Sequence, residues 1–321
     1  MTVQSCTPAE DGVLAKASAE NFPVAPFFLP PAVRADVMAV YGFARLVDDI
    51  GDGDLPPGRQ DEAVLGAEGG TRIEVLDALD RDLDRIYADG DGPRHPLMRD
   101  LAGTVRAHGI PADPFKRLIG ANRMDQTVHR YADFPALLDY CELSANPVGE
   151  LVLRLFDVHT PERRRLSDLV CSALQVIEHI QDVAEDLAVG RVYLPQGDLA
   201  RFGVTEADLA LPAAPARVRA LIAHETARAT DLLRRGEPLV GTVRGRLRVL
   251  LAGFVAGGRA QLRAIEASGH DVLAASPKAD KKRIAAEAAL LLAPSPRRRR
   301  PRSTASSAGE PGPRTANHPG R

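Results

Sequence analysis

Cysteine is scarce. The 321 residues hold three, Cys6, Cys141 and Cys171, at no metal-type spacing, a usage that fits a reducing compartment. No stretch reaches the roughly 18 apolar residues of a membrane-spanning helix. The opening MTVQSCTPAEDG has neither the basic start nor the apolar run of a signal peptide. A cytoplasmic protein is expected, free to touch the inner face of a membrane. Strand-like alternation is nowhere sustained, and no glycine-rich strand-to-helix fingerprint for a nicotinamide cofactor occurs. Nucleic acid is not an expected partner. Net charge is −2, and from Arg297 onward seven arginines against one glutamate give +6, which leaves −8 for residues 1–296. What remains is an all-helical chain, 45% apolar, able to bury a large core in one big domain or two ordinary ones.

Two helices carry the chemistry. QVIEHIQDVAEDLAVGRVYLP, Gln175 to Pro195, reads as helix to about Leu187, because Val176, Ile177, Ile180, Val183, Ala184 and Leu187 return to one side. Gln175, Glu178, Asp182 and Asp186 stand on another side at offsets 0, 3, 7 and 11, within roughly 80° of arc. Gly190 ends this helix, and Arg191, Tyr193 and Pro195 leave as extended chain. Upstream, YGFARLVDDIGD places Tyr41, Arg45, Asp48 and Asp52 at offsets 0, 4, 7 and 11.

Spacing alone decides little, since Asp80 and Asp84 share it. There Arg81 and Arg85 interleave with the acids, and Leu76, Leu79, Leu83 and Ile86 form the buried stripe, so a solvated face is expected. The other two pairs are flanked by apolar residues nearly all round, which implies burial inside a bundle. Four carboxylates brought together there repel one another and shift their pKa values upward unless cations neutralise them. Mg2+ suits the role, taking one or two carboxylates and completing its shell with water and substrate phosphate oxygens. A di-iron centre needs a Glu-x-x-His pair on each of two helices, and Gln181 stands three residues after Glu178. His129, His159 and His224 read as surface or structural.

Along the chain, residues 1–17 are expected to be poorly ordered, residues 18–292 to form the helical domain, and residues 293–321 to be a disordered basic tail. Pro30 and Pro31 place a helix start. Helical periodicity recurs over Arg72–Ala88, Pro96–His108, Asp113–Thr127 with Asp113 as N-cap, Glu162–Leu187, Ala216–Arg235, Leu239–Ala267 and Lys278–Leu292, with short turns over Tyr193–Leu209. FPALLDYCELSANPVGELVLRLFDV is apolar on almost every side, with Pro147 and Gly149 inside it. That predicts a kink, either freeing carbonyls near Leu143 and Ser144 toward a ligand or marking a close helix crossing. The tail's arginines suit contact with anionic lipid or simple solubilisation.

ENFPVAPFFLPPAVRADVMAVYGFARLVDDIGD, YCELSANPVGELVL and QDVAEDLAVGRVYLP together resemble the squalene and phytoene synthase family, over about Glu20 to Ala267. ENFPVA and SANPVG are most similar to its hydroxysqualene synthase branch in bacterial hopanoid biosynthesis. The resemblance implies the isoprenoid synthase fold, an all-helical bundle around a central cavity. Asp48 and Asp52 match the first aspartate-rich motif, Asp182 and Asp186 the second, and Gln175 the glutamine that leads into it. Arg45 and Arg191 match basic positions beside the diphosphate, and Tyr41 and Tyr193 aromatic positions at the same end. Glu178 stands where many members have asparagine; a carboxylate there still binds magnesium.

In the expected reaction, carried out by a carbon–oxygen lyase, Mg2+ held by Asp48, Asp52, Asp182, Asp186 and Glu178 stabilises the diphosphate leaving presqualene diphosphate, with Arg45 and Arg191 adding fixed charge. The carbocation needs an apolar cavity with aromatic faces, for which Phe22, Phe27, Phe28, Phe43, Tyr41 and Tyr140 are available, though each also suits ordinary core. Ser144, or carbonyls freed around Pro147, would aim the water. An alternative keeps the site and condenses two prenyl diphosphates, such as farnesyl diphosphate, as a prenyltransferase. A non-catalytic scaffold is the third reading, and the intact aspartate pairs weigh against it.

Overall fold

The computed structural model describes residues 28–55 and 60–293; the expectations for residues 1–17 and for the tail beyond Ala293 lie outside them, as do Phe22 and Phe27. Helix α1 (Pro31–Asp52) begins with Pro at its first turn and ends at Gly53, whose φ of 77° suits a residue without Cβ. A short α2 (Asp61–Leu65) leads to α3 (Arg72–Tyr87), opened by a Thr71–Glu74 capping box. Helices α4 (Pro96–His108) and α5 (Asp113–Met124) follow. Ala112, not Asp113, is the N-cap of α5; Asp113 sits in the first turn, where its charge meets the positive helix end and pairs with Arg117 at 2.9 Å.

The apolar central segment divides into α6 (Phe134–Ser144) and α7 (Asn146–Leu155). The break falls at Ala145 (φ −111°), two residues before Pro147, as expected from a ring that clashes with the preceding turn. Of the two readings of this segment, the close helix crossing has its counterpart in the structure. A Cβ on Gly149 would collide with Ser167 and Cys171 of the next helix, and Ser144 turns into a cavity.

The second acidic stretch also divides. Helix α8 (Pro161–Gln181), capped by Thr160, stops at Asp182, where φ is −99° and ψ 14°, and α9 (Val183–Ala188) resumes after it. The single helix to Leu187 is therefore corrected to two. Hydrogen bonds run through the joint, from Asp182 N to Glu178 O at 3.0 Å and from Asp186 N to Asp182 O at 2.7 Å, so Asp182 bends the helix without releasing it. Tyr193–Leu209 contains two short helices, α10 (Gln196–Phe202) and α11 (Glu206–Leu209). Long α12 (Ala216–Gly236) packs along α8. The expected Leu239–Ala267 helix is α13 (Leu239–Thr242) and α14 (Gly245–Ala267), parted at Gly245 with φ 61°. Helix α15 (Lys281–Leu292) lies on α14.

Among the described residues, β pairing is confined to one parallel bridge between Arg130 and Val192. Two apolar cores form. One gathers Phe43, Leu46, Leu76, Leu79, Met98 and Phe115 from α1 and α3–α5; the other gathers Cys141, Val176, Ile180, Leu221 and Ile265 from α6, α8, α12 and α14. Phe28 and Phe156 pack against both. The acidic ends of α1 and of α8–α9 meet at the seam.

Candidate active site

At that seam lies a half-open cavity of about 300 Å3. Asp48 and Asp52 line it from α1, and Gln175, Glu178, Asp182 and Asp186 from α8 and α9. Arg191 and Tyr193 reach in from the extended exit, and Tyr140 and Ser144 from α6. The exit is held by Gly190 (φ 83°), by Arg191 N donating to Asp186 O at 2.8 Å, and by Val192 N donating to His129 O at 3.0 Å. Arg191 Nη1 then donates to Asp52 Oδ1 at 3.2 Å, tying the first acidic motif to the second.

Among the described residues, Arg45, Tyr41, Pro147, Phe28 and Phe43 do not line the cavity. Arg45 points along α1 to buried Asp49, 3.1 Å away, so it acts on Asp48 through its field rather than from the wall. Tyr41 is half-buried against the first core. Pro147 is buried beside Asn146, whose carboxamide accepts from Ser172. Phe43 is core, edge-on to Phe115 at 5.1 Å. Asp84 is exposed, as a solvated face implies, and the Asp80–Asp84 pair is also ion-paired: Lys116 bridges both, at 3.0 and 2.7 Å, and Arg123 reaches half-buried Asp80 from the same face of α5.

Three wall residues have no signal in the sequence motifs. Asn122 Nδ2 donates to Asp48 Oδ1 at 3.1 Å. Asp125 accepts from Tyr140 at 2.8 Å and Tyr193 at 3.3 Å. His179 is buried and stacked on Tyr193, ring centroids 3.7 Å apart. All depend on α5 or on a ring meeting across the bundle, separations that periodicity cannot register. The one local sign is Gly51: a Cβ there would collide with the Asn122 side chain, and Gln126 and Arg72 both donate to its carbonyl.

Electrostatically the cavity is loaded against its own charge. Burial pushes Asp48 up to about 6; Asn122 and Arg45 restrain the rise, and Asp52 and Asp49 add to it. Asp48 and Asp52 are nonetheless exposed to solvent, not buried as their apolar flanks imply, because they open onto a half-open cavity. Asp186 rises to about 7, through burial and then Asp182, with Arg191 opposing. Asp182 rises through burial and Glu185, opposed by Lys278, and Asp125 through burial. Burial holds His179 neutral, lowered to about 3. Gln175 Nε2 lies 3.4 Å from His179 Nε2, a contact that requires that nitrogen to accept.

The donor set fits a hard divalent cation: several carboxylates face one cavity, with Arg191 and the fields of Arg45 and Lys278 as counter-charge. These carboxylates stay apart rather than forming a closed cage. The group whose ligand atoms all lie within 4.8 Å, among the described residues, is Asp198–His224–Glu225, away from the cavity. Arg228 already occupies it, bonding Asp198 and reaching Glu225 at 3.0 Å, so it is a structural ion cluster. The cavity acids instead suit cations shared with an anionic, phosphate-bearing ligand.

An all-helical bundle with such a cavity at its seam defines a class, and comparison with known proteins places the chain within it. The squalene/phytoene synthase family model matches residues 15–284, and the chain belongs to that family. It is 34% identical over 221 residues, 67% of this chain and 68% of the relative, to a hydroxysqualene synthase of Zymomonas mobilis. It is 31% identical to a presqualene diphosphate synthase of Rhodopseudomonas palustris, over 71% of this chain and 77% of that one. A solved squalene synthase from Alicyclobacillus acidocaldarius is 39% identical and superimposes with a TM-score of 0.71, covering 82% of this chain and 94% of its own.

Proposed function

We propose that this enzyme converts presqualene diphosphate and water to hydroxysqualene and diphosphate, with Mg2+ at the acidic cavity. The observation that carries the reading is the convergence of Asp48 and Asp52 with Asp182 and Asp186 on one cavity, where Arg191 links the two motifs through Asp52. The resemblance to hydroxysqualene synthases supports the choice of reaction. Asp48, Asp52, Glu178, Asp182 and Asp186 would hold the cations. Bound there, Mg2+ supplies Lewis acidity to the departing diphosphate.

The chain's own residues do the rest. Arg191 sits where negative charge grows as the carbon–oxygen bond breaks and the diphosphate leaves with the electron pair. Arg45 adds a fixed field from behind Asp48. Tyr140, Tyr193 and His179 line the cavity as a packed aromatic cluster, with His179 stacked on Tyr193, and would supply the π density beside the cation left there. Asp125 fixes both tyrosine hydroxyls, so neither swings toward the cation as a nucleophile. Water then adds to the cation, forming the new carbon–oxygen bond and losing a proton to diphosphate or solvent. Ser144 suits the aiming of that water: it lines the cavity and its buried hydroxyl has no hydrogen-bond partner.

Condensation of two farnesyl diphosphates to presqualene diphosphate is the second reading, favoured by the Rhodopseudomonas palustris relative. Mass spectrometry separates the two. Given presqualene diphosphate and Mg2+, the protein is expected to release hydroxysqualene; given farnesyl diphosphate and Mg2+, it is expected to release nothing. The reverse pattern moves it to the condensing reaction. Asp48→Ala or Asp182→Ala should abolish either activity, and Ser144→Ala should lower the hydroxylated share of products.

A further inference from the structure

The end of the bundle opposite the acidic cavity has a different character. A second hollow of about 290 Å3 is walled there by Pro30, Val33, Phe156, Val158 and Leu247, with Arg244 and Arg246 at its rim. It lies about 22 Å from Asp48, the length of α1 from Val33 at ~1.5 Å per residue. Both arginines are exposed and make no ion pair among the described residues. Helices α1 and α14, of 22 and 23 residues, both start at this hollow, and neither N-terminus has a side-chain cap. Two positive helix ends and two unpaired guanidinium groups therefore share one apolar depression. Asp157, beside the hollow, lies 3.8 Å from His108 Nδ1.

Apolar surface continues outward. Val249, one turn into α14, is 41% exposed, and Leu290, near the end of α15, is 66% exposed. Arg248 brings the two helices together here, its guanidinium at 3.5 and 3.4 Å from the carbonyls of Leu291 and Leu292. In the sequence, the basic run Arg297–Arg300 follows five residues past Leu292. Positive charge around exposed aliphatic side chains, with Asp157 as the acid beside it, complements an anionic bilayer, whose headgroups meet arginines and helix ends while its acyl boundary takes up apolar side chains.

We propose that this end of the bundle is a docking surface for an anionic lipid bilayer, with Arg244 and Arg246 as its electrostatic anchors. The proposal stands apart from the reaction, since it uses none of the cavity residues.

Vesicle co-sedimentation of the full chain tests it. Binding is expected on phosphatidylcholine vesicles containing phosphatidylglycerol, weak binding on phosphatidylcholine alone, and release at high salt. R244E/R246E should lower partitioning by about tenfold or more, and V249E should lower it independently of charge screening. The full chain carrying R297Q/R298Q/R299Q/R300Q should keep part of its binding and still respond to R244E/R246E. Three outcomes overturn the proposal: no preference for phosphatidylglycerol, wild-type binding by R244E/R246E, or complete loss on neutralising the tail alone. Self-association in sedimentation that R244E/R246E dissolves also overturns it, by assigning the face to a second copy.

Discussion

Asp48 is held in place by a residue that no motif announces. Asn122 donates to one of its oxygens and keeps the carboxylate aimed into the cavity, while glycine at 51 leaves room for that carboxamide. Asn122→Leu is expected to lower kcat/KM by about tenfold, the scale of one hydrogen bond to a charged group. Half-buried Asn122 contributes little to the core, so thermal unfolding should move little; a large fall in melting temperature would recast it as a packing residue. The raised carboxylates give a second outcome. Asp48 near 6 and Asp186 near 7 bind protons more tightly in the folded chain than near their ordinary 3.8. Between about pH 4 and 7 the folded state thus carries more protons, and metal-free stability falls as pH rises through that window. A cation must displace those protons, so Mg2+ affinity should rise from pH 6 to pH 8, with proton release measurable by titration calorimetry in buffers of different ionisation enthalpy.

At the scale of elements, the helices were legible and their joints were not. Pro96–His108 is bounded as its proline, periodicity and Gly109 imply, and the stripe of Leu76, Leu79 and Leu83 is fully buried. The break at Asp182 escapes periodicity because apolar residues continue on both sides of it, and hydrogen bonds bridge it. The break at Ala145 is displaced from its cause, since Pro147 disrupts the turn before itself. Helix contacts fixed by small residues are equally silent in one dimension. Gly236 lets α12 lie against α8, and a Cβ there would come within 2.9 Å of Leu166 O and Val170 N, both backbone. Gly236→Ala should destabilise the fold by about 1–3 kcal/mol, the cost of overpacking against atoms that cannot yield. Urea unfolding checks this: an unchanged midpoint would mean the two helices part without penalty.

Across the whole molecule, two separate cores bring distant segments to one seam, and this explains what could and could not be read from the chain. Each acidic motif is local, so Asp48, Asp52, Asp182 and Asp186 are recognisable from spacing and apolar flanks. Their opposition, and the closing contact from Arg191 to Asp52 across 139 residues, follow from the packing of α1 and α8 into different cores. The Asp125–Tyr140–Tyr193 triad likewise needs α5, α6 and the extended exit together. The resemblance to a known family supplied the roles of Gln175, Arg191 and Tyr193, which spacing alone left open. It also assigned Arg45 to the diphosphate, whereas its side chain turns to Asp49.

In the proposed reaction, a cation formed in the acidic cavity is captured by water. Incubation of the purified protein with presqualene diphosphate and Mg2+ in oxygen-18 water tests it most directly. The expected result is a hydroxylated thirty-carbon product carrying one heavy oxygen, one diphosphate released per product, and no product from Asp182→Ala. A product without the heavy oxygen, or turnover only when farnesyl diphosphate is supplied, would contradict it.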